Sequence, residues 1–130
     1  MKKILFFCLM LLLLAGCEER TMRYTAKDLE SNIEPAKWTV SFSALDGNLT
    51  EGFIVNPKEY PFLHYDIASS GGKMIVQVKQ DSEITELPHE KGTLSLEKFR
   101  EGSLYLQILG EGAKDGRIYF EWSHTDAHMP

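Results

Sequence analysis

The chain has 130 residues, of which 14 are basic and 19 acidic, giving a formal charge of −5 at neutral pH. That balance excludes a nucleic-acid binder held by phosphate neutralisation, and it argues against adhesion to anionic lipid by charge alone. Both cysteines, Cys8 and Cys17, fall at the N-terminal end, so the rest of the chain has no disulfide, free thiol or cysteine-based metal site.

Lys2 and Lys3 open the sequence, and residues 4–14 (ILFFCLMLLLL) follow without a charge or a strong polar group. Leu14-Ala15-Gly16-Cys17 ends the run. This is the three-part layout of an export signal, with an apolar stretch too short to span a bilayer as a mature helix. The tetrapeptide resembles the lipobox of bacterial lipoproteins. That resemblance implies removal of residues 1–16, a diacylglycerol on the Cys17 thiol, and a protein anchored to the cell membrane on its extracytoplasmic side. The bilayer is then a partner through acylated Cys17, because two or more chains hold stably where one binds marginally. Glu18 is not the aspartate that resembles an inner-membrane retention signal, so in a Gram-negative envelope the expected address is the outer membrane. Taking Lys2 and Lys3 from the 14 basic residues, against 19 acidic ones, puts the mature formal charge at −7.

Residues 17–36 continue as EERTMRYTAKDLESNIEPA after the cysteine, polar and without a sustained period. They are expected to act as a flexible tether between anchor and domain, reaching on the order of 25 Å. A short helix over 26–32 capped by Thr25 is the one element they would support.

From Trp38 the pattern turns to period two. Trp38, Val40, Phe42 and Ala44 alternate with polar residues, and Asp46-Gly47-Asn48 marks a turn. Phe53 and Val55 belong to a second strand, and Leu63, Tyr65 and Ile67 to a third, with His64 and Asp66 on its other face. Ser69-Ser70-Gly71-Gly72 turns the chain into Met74, Val76 and Val78. Shorter strands are expected at 84–87 and 93–96, then strong ones through Leu104, Leu106 and Ile108 and through Ile118, Phe120 and Trp122. About eight short strands at regular spacing predict an all-β fold, an antiparallel, jelly-roll-like β-sandwich over 37–123 with a C-terminal tail at 124–130.

The stretch EGSLYLQILGEGAKDGRIYFEW, with Gly72-Lys73-Met74-Ile75-Val76-Gln77-Val78 before it, resembles the closing strands of bacterial pre-peptidase C-terminal β-sandwiches and related jelly-roll modules. The likeness covers roughly residues 52–122. It implies an accessory or binding module without catalysis of its own. The Asp-rich segment frequent in those modules is missing here, so no Ca²⁺ role is carried over and no cofactor is expected.

Three groups of residues carry candidate chemistry. If the last two strands form a hairpin with paired numbers summing to 224, Tyr105 faces Tyr119 and Gln107 faces Arg117 on the outer surface. Two such tyrosines flanked by Gln and Arg would stack on a sugar and bond its hydroxyls; cross-strand aromatic pairs also simply stabilise sheets. His124, Asp126 and His128 have the residue types for a divalent transition metal, though a solvated tail reads as well. Asp46-Gly47-Asn48 and Asp115-Gly116 read as turns rather than Ca²⁺ loops. No nucleophile elbow, HExxH, P-loop or dinucleotide fingerprint occurs, so no enzyme is expected. The functional expectation is a non-catalytic module for an envelope protein or glycan. The alternatives are an accessory subunit of an envelope complex or a small hydrolase.

Overall fold

The computed structural model describes residues 22–125. The export signal, Cys17, Asp126 and His128 lie outside the described residues. Eight strands make up the described chain: β1 (Met22–Lys27), β2 (Glu30–Glu34), β3 (Lys37–Val55), β4 (Phe62–Ala68), β5 (Gly71–Gln80), β6 (Glu83–Leu87), β7 (Lys91–Ser95) and β8 (Gly102–Ser123). All pair antiparallel, and the all-β, sandwich-like class expected from the period-two pattern is the class observed.

Two very long strands organise it. β3 and β8 pair from Lys37↔Glu121 to Val55↔Gly102, with a register shift between Leu45 and Gly47. A bulge there bends the ladder and raises its local twist. On one side of the bend, β3 and β8 carry β2, β4 and β7, in the order β2-β3-β8-β4-β7. On the other side they carry β1, β5 and β6, in the order β1-β3-β8-β5-β6. The continuous sheet thus folds into two halves.

Alternate residues of each half point inward, as a two-layer core requires. Trp38, Val40, Phe42, Leu63, Ile67, Ile118 and Phe120 come from one half, and Leu49, Met74, Val76, Val78, Leu104, Leu106 and Ile108 from the other. Phe53 joins them: its ring centroid lies 5.7 Å from Trp38 and 4.8 Å from Trp122 across the interior.

The structure departs from the sequence reading in four places. The stretch expected as a tether holds β1 and β2, both laid along β3. As edge strands they contribute backbone hydrogen bonds more than core side chains. Every residue of β2 is exposed, so the sequence shows no period. The helix over 26–32 does not form, because Asp28 sits at φ 54°, the left-handed region that ends a strand or helix locally. Asp46-Gly47-Asn48 and Asp115-Gly116 lie within β3 and β8 instead of closing hairpins. Gly47 at φ 108° lets the backbone of β3 bend where any Cβ would strike the Arg23 carbonyl oxygen. Finally, His64 is buried instead of outward, with Nε2 donating to the Thr125 carbonyl at 2.8 Å and Nδ1 2.9 Å from Thr93 Oγ1.

Candidate functional site

The four surface residues expected to form one patch are split between two. Tyr105 and Tyr119 belong to the same strand, β8, so they cannot face each other across a hairpin. Tyr105 pairs with Gly52 and Lys79, whereas Tyr119 pairs with Thr39 and Asp66. Tyr105 and Arg117 are exposed and Gln107 and Tyr119 half-buried, and residues 110–116, expected as a turn, are the bend of a continuous strand.

Tyr105 and Gln107 lie on the outer face of the β1-β5-β6 half, in a groove of about 430 Å³ with Asn48, Thr50, Lys79, Asp81 and Ser103. The Tyr105 ring rests on Gly52, where an added Cβ would meet it at 3.0 Å, so the missing side chain makes room for the ring. Three of the polar side chains here bond one another, whereas Lys79, Ser103 and the Tyr105 hydroxyl make no side-chain hydrogen bond to described residues. Gln107 Nε2 donates to Thr50 Oγ1 at 3.3 Å, and Thr50 Oγ1 donates to Asn48 Oδ1 at 2.6 Å. Asp81 pairs with Arg100.

Arg117 and Tyr119 lie on the outer face of the other half, in a groove of about 380 Å³. Four strands build it, contributing Glu30 and Asn32 from β2, Thr39 and Ser41 from β3, Arg117 and Tyr119 from β8, and Asp66 from β4. Arg117 stands opposite Ser41 on one side and Ala68 on the other, and these small neighbours open the floor around its guanidinium. Tyr119 is fixed, with its hydroxyl donating to Glu121 Oε2 and Lys37 Nζ 5.6 Å from its ring centroid. Asn32, Thr39, Ser41, Asp66 and Arg117 present side chains that make no hydrogen bond or ion pair to other described residues. This groove therefore has donors and acceptors of both signs ready for a ligand.

No family model and no curated protein matches this chain. The site therefore has to be read from its own geometry.

The remaining candidates within the described residues contact neighbouring groups. His124 packs on Tyr60, with ring centroids 4.5 Å apart, and its Nδ1 donates to the Glu59 carbonyl at 2.7 Å. Its two expected metal partners lie outside the described residues, and no group of three metal-ligating side chains occurs among the described ones. Asp115 and Asp28, both in the left-handed region, are held by serines: Ser70 Oγ donates to Asp115 Oδ2 and Ser43 Oγ to Asp28 Oδ2, each at 2.7 Å. The first bond ties the β4–β5 turn to β8, and the second ties the β1–β2 turn to β3.

Sequence reasoning missed Asn32, Thr39, Ser41 and Asp66 as groove residues. Thr39, Ser41 and Asp66 were visible as outward positions of their strands, but nothing local says that these strands adjoin Arg117. Asn32 was hidden in the presumed tether.

Proposed function

We propose that the protein is a lipid-anchored, extracytoplasmic, non-catalytic module that binds a cell-envelope glycan in the groove of Arg117 and Tyr119. The observation that carries the reading is the convergence there of polar side chains that make no hydrogen bond or ion pair to other described residues: Asn32, Thr39, Ser41, Asp66 and Arg117. A sugar presents many hydroxyls, each able to donate and accept. A floor of carboxylate, guanidinium, amide and hydroxyl groups matches that pattern, and the Tyr119 ring supplies an apolar edge. The anchor rests on Leu14-Ala15-Gly16-Cys17 and the export signal before it. The non-catalytic reading rests on the absence of a nucleophile, acid–base or metal motif in the sequence.

Retention on purified peptidoglycan and on envelope polysaccharides tests the groove. The wild type should be retained, Arg117→Ala and Asp66→Ala should each weaken retention, and Tyr105→Ala should leave it unchanged. Wild-type retention that survives both groove substitutions would refute the assignment. For the anchor, Cys17→Ser should abolish palmitate labelling and membrane retention.

A second reading, an accessory subunit docked on another protein, is favoured by the edges of β6 and β7. Each pairs on one side only among the described residues. In-membrane crosslinking at these edges, followed by identification of the captured chain, distinguishes it from glycan binding.

A further inference from the structure

We propose that the outer face of the β1-β5-β6 half lies against the membrane to which Cys17 is attached. This proposal rests on the lipoprotein reading of Cys17 and adds an orientation to it. β1 begins at Met22, so only five Cα steps separate the domain from Cys17. A fully extended chain spans at most about 17 Å over that length, whatever its conformation. Met22 pairs with Leu49 at the edge of this half. That short leash holds the β1 edge of this half within about 17 Å of the anchored cysteine.

The surface chemistry agrees. Five large hydrophobic side chains are exposed among the described residues, and three of them, Ile54, Ile84 and Tyr105, share this face. Ile54 is 82% exposed, and nothing described covers it. Register places Arg23, Lys73 and Lys79 on the same face, against the acids Glu86 and Glu111, and the Asp81–Arg100 pair beside them adds no net charge. Its balance is thus slightly basic on a mature chain whose formal charge is −7. Aliphatic and tyrosine side chains among Lys and Arg suit the headgroup boundary, where basic residues meet anionic lipid and apolar ones enter. The Arg117 groove would then face away from the bilayer, open to the envelope.

Position-specific quenching tests this in the lipidated full-length protein, reconstituted in vesicles of phosphatidylethanolamine and phosphatidylglycerol. With Cys17 acylated no other thiol remains, so Ile84→Cys and Asn32→Cys each give one labelling position on opposite outer faces. An environment-sensitive label at Ile84→Cys should shift to the blue and be quenched severalfold more strongly by spin-labelled lipid than one at Asn32→Cys. Adding Arg23→Glu and Lys79→Glu should reduce that quenching. Equal, weak quenching at both positions, with palmitate still on Cys17, would overturn the orientation while leaving the anchor intact. If Cys17→Ser keeps its palmitate, the anchor reading fails and this proposal falls with it.

Discussion

Ser31 should matter to stability, although it is exposed and lies in a stretch whose sequence suggests a linker. Trp38 is fully buried, stacked on Phe120 at 5.6 Å between ring centroids, and its indole Nε1 donates to Ser31 Oγ at 2.9 Å. Ser31→Ala removes the acceptor and leaves a buried N–H without a partner, which costs about 1–3 kcal/mol. Ser31 sits on an edge strand, where water can enter after truncation, so the lower end, about 1 kcal/mol, is expected. For a domain of this size that corresponds to a fall in melting temperature of about 4–8 °C. Circular dichroism melts, with tryptophan emission as a second probe, measure it. Ser31→Thr should restore most of the loss because it keeps a hydroxyl. Asn32→Ala, one position along the same strand, should change the melt little. In a Trp38→Phe background the Ser31→Ala effect should vanish, since the indole donor is gone. A melting temperature unchanged by Ser31→Ala in the wild-type background would refute both the hydrogen bond and the docking of β2 on β3.

Glu51 is on the inward side of β3, opposite Leu106, and burial pushes its pKa above the ordinary carboxylate value. A raised folded-state pKa means that the native protein holds the proton more tightly than the unfolded chain, so this group adds stability as pH falls and opposes folding at neutral pH. Glu51→Gln should therefore raise the urea midpoint at neutral pH, with the gain shrinking as pH is lowered towards about 4. Gly47→Val should destabilise by at least about 1–3 kcal/mol, read from the same titration, because φ 108° and the Arg23 carbonyl both oppose a side chain there. Leu106→Ala, at a fully buried position in the first half of β8, should lower stability by about 2–5 kcal/mol. Gln80→Ala should loosen the segment between β7 and β8: Gln80 Nε2 donates to the Arg100 carbonyl at 2.8 Å while its Oε1 accepts from the Arg100 N–H at 2.8 Å. Faster amide exchange at Arg100 would report that loss.

The inward positions were legible wherever a strand is flanked on both sides. Trp38, Val40 and Phe42, or Leu104, Leu106 and Ile108, alternate cleanly because one face of each strand is core and the other solvent. β1 and β2 were not legible for the opposite reason: an edge strand is held by its backbone, and backbone hydrogen bonds leave no pattern in side-chain hydrophobicity. The Asp-Gly pairs misled because a bend in a long strand and a hairpin turn both need residues tolerant of positive φ. Asp115 at φ 49° and Gly47 at φ 108° satisfy either geometry. What separates the two is whether the flanking segments pair with each other or with a third strand, and that depends on contacts far away in sequence.

The same ambiguity governed the site. Period two assigns Tyr105, Gln107, Arg117 and Tyr119 to an outer surface and says nothing about which one, since a folded sheet has two. A hairpin at 110–116 would have put all four side by side. A bend at the same residues sends them to opposite outer faces and gives each pair new neighbours. The neighbours then decide what each pair can do. Beside Tyr105 they are Gly52, Thr50 and Asn48, which seat the ring and bond among themselves. Beside Arg117 they are Ser41, Ala68 and Asp66, which leave its guanidinium open. One bulge between Leu45 and Gly47 thus separates a groove in which Asn48, Thr50 and Gln107 bond one another from a groove in which Asn32, Thr39, Ser41, Asp66 and Arg117 make no such bonds among the described residues. The second brings a carboxylate, a guanidinium, an amide and two hydroxyls together, which is the fuller set of hydrogen-bonding groups for a ligand.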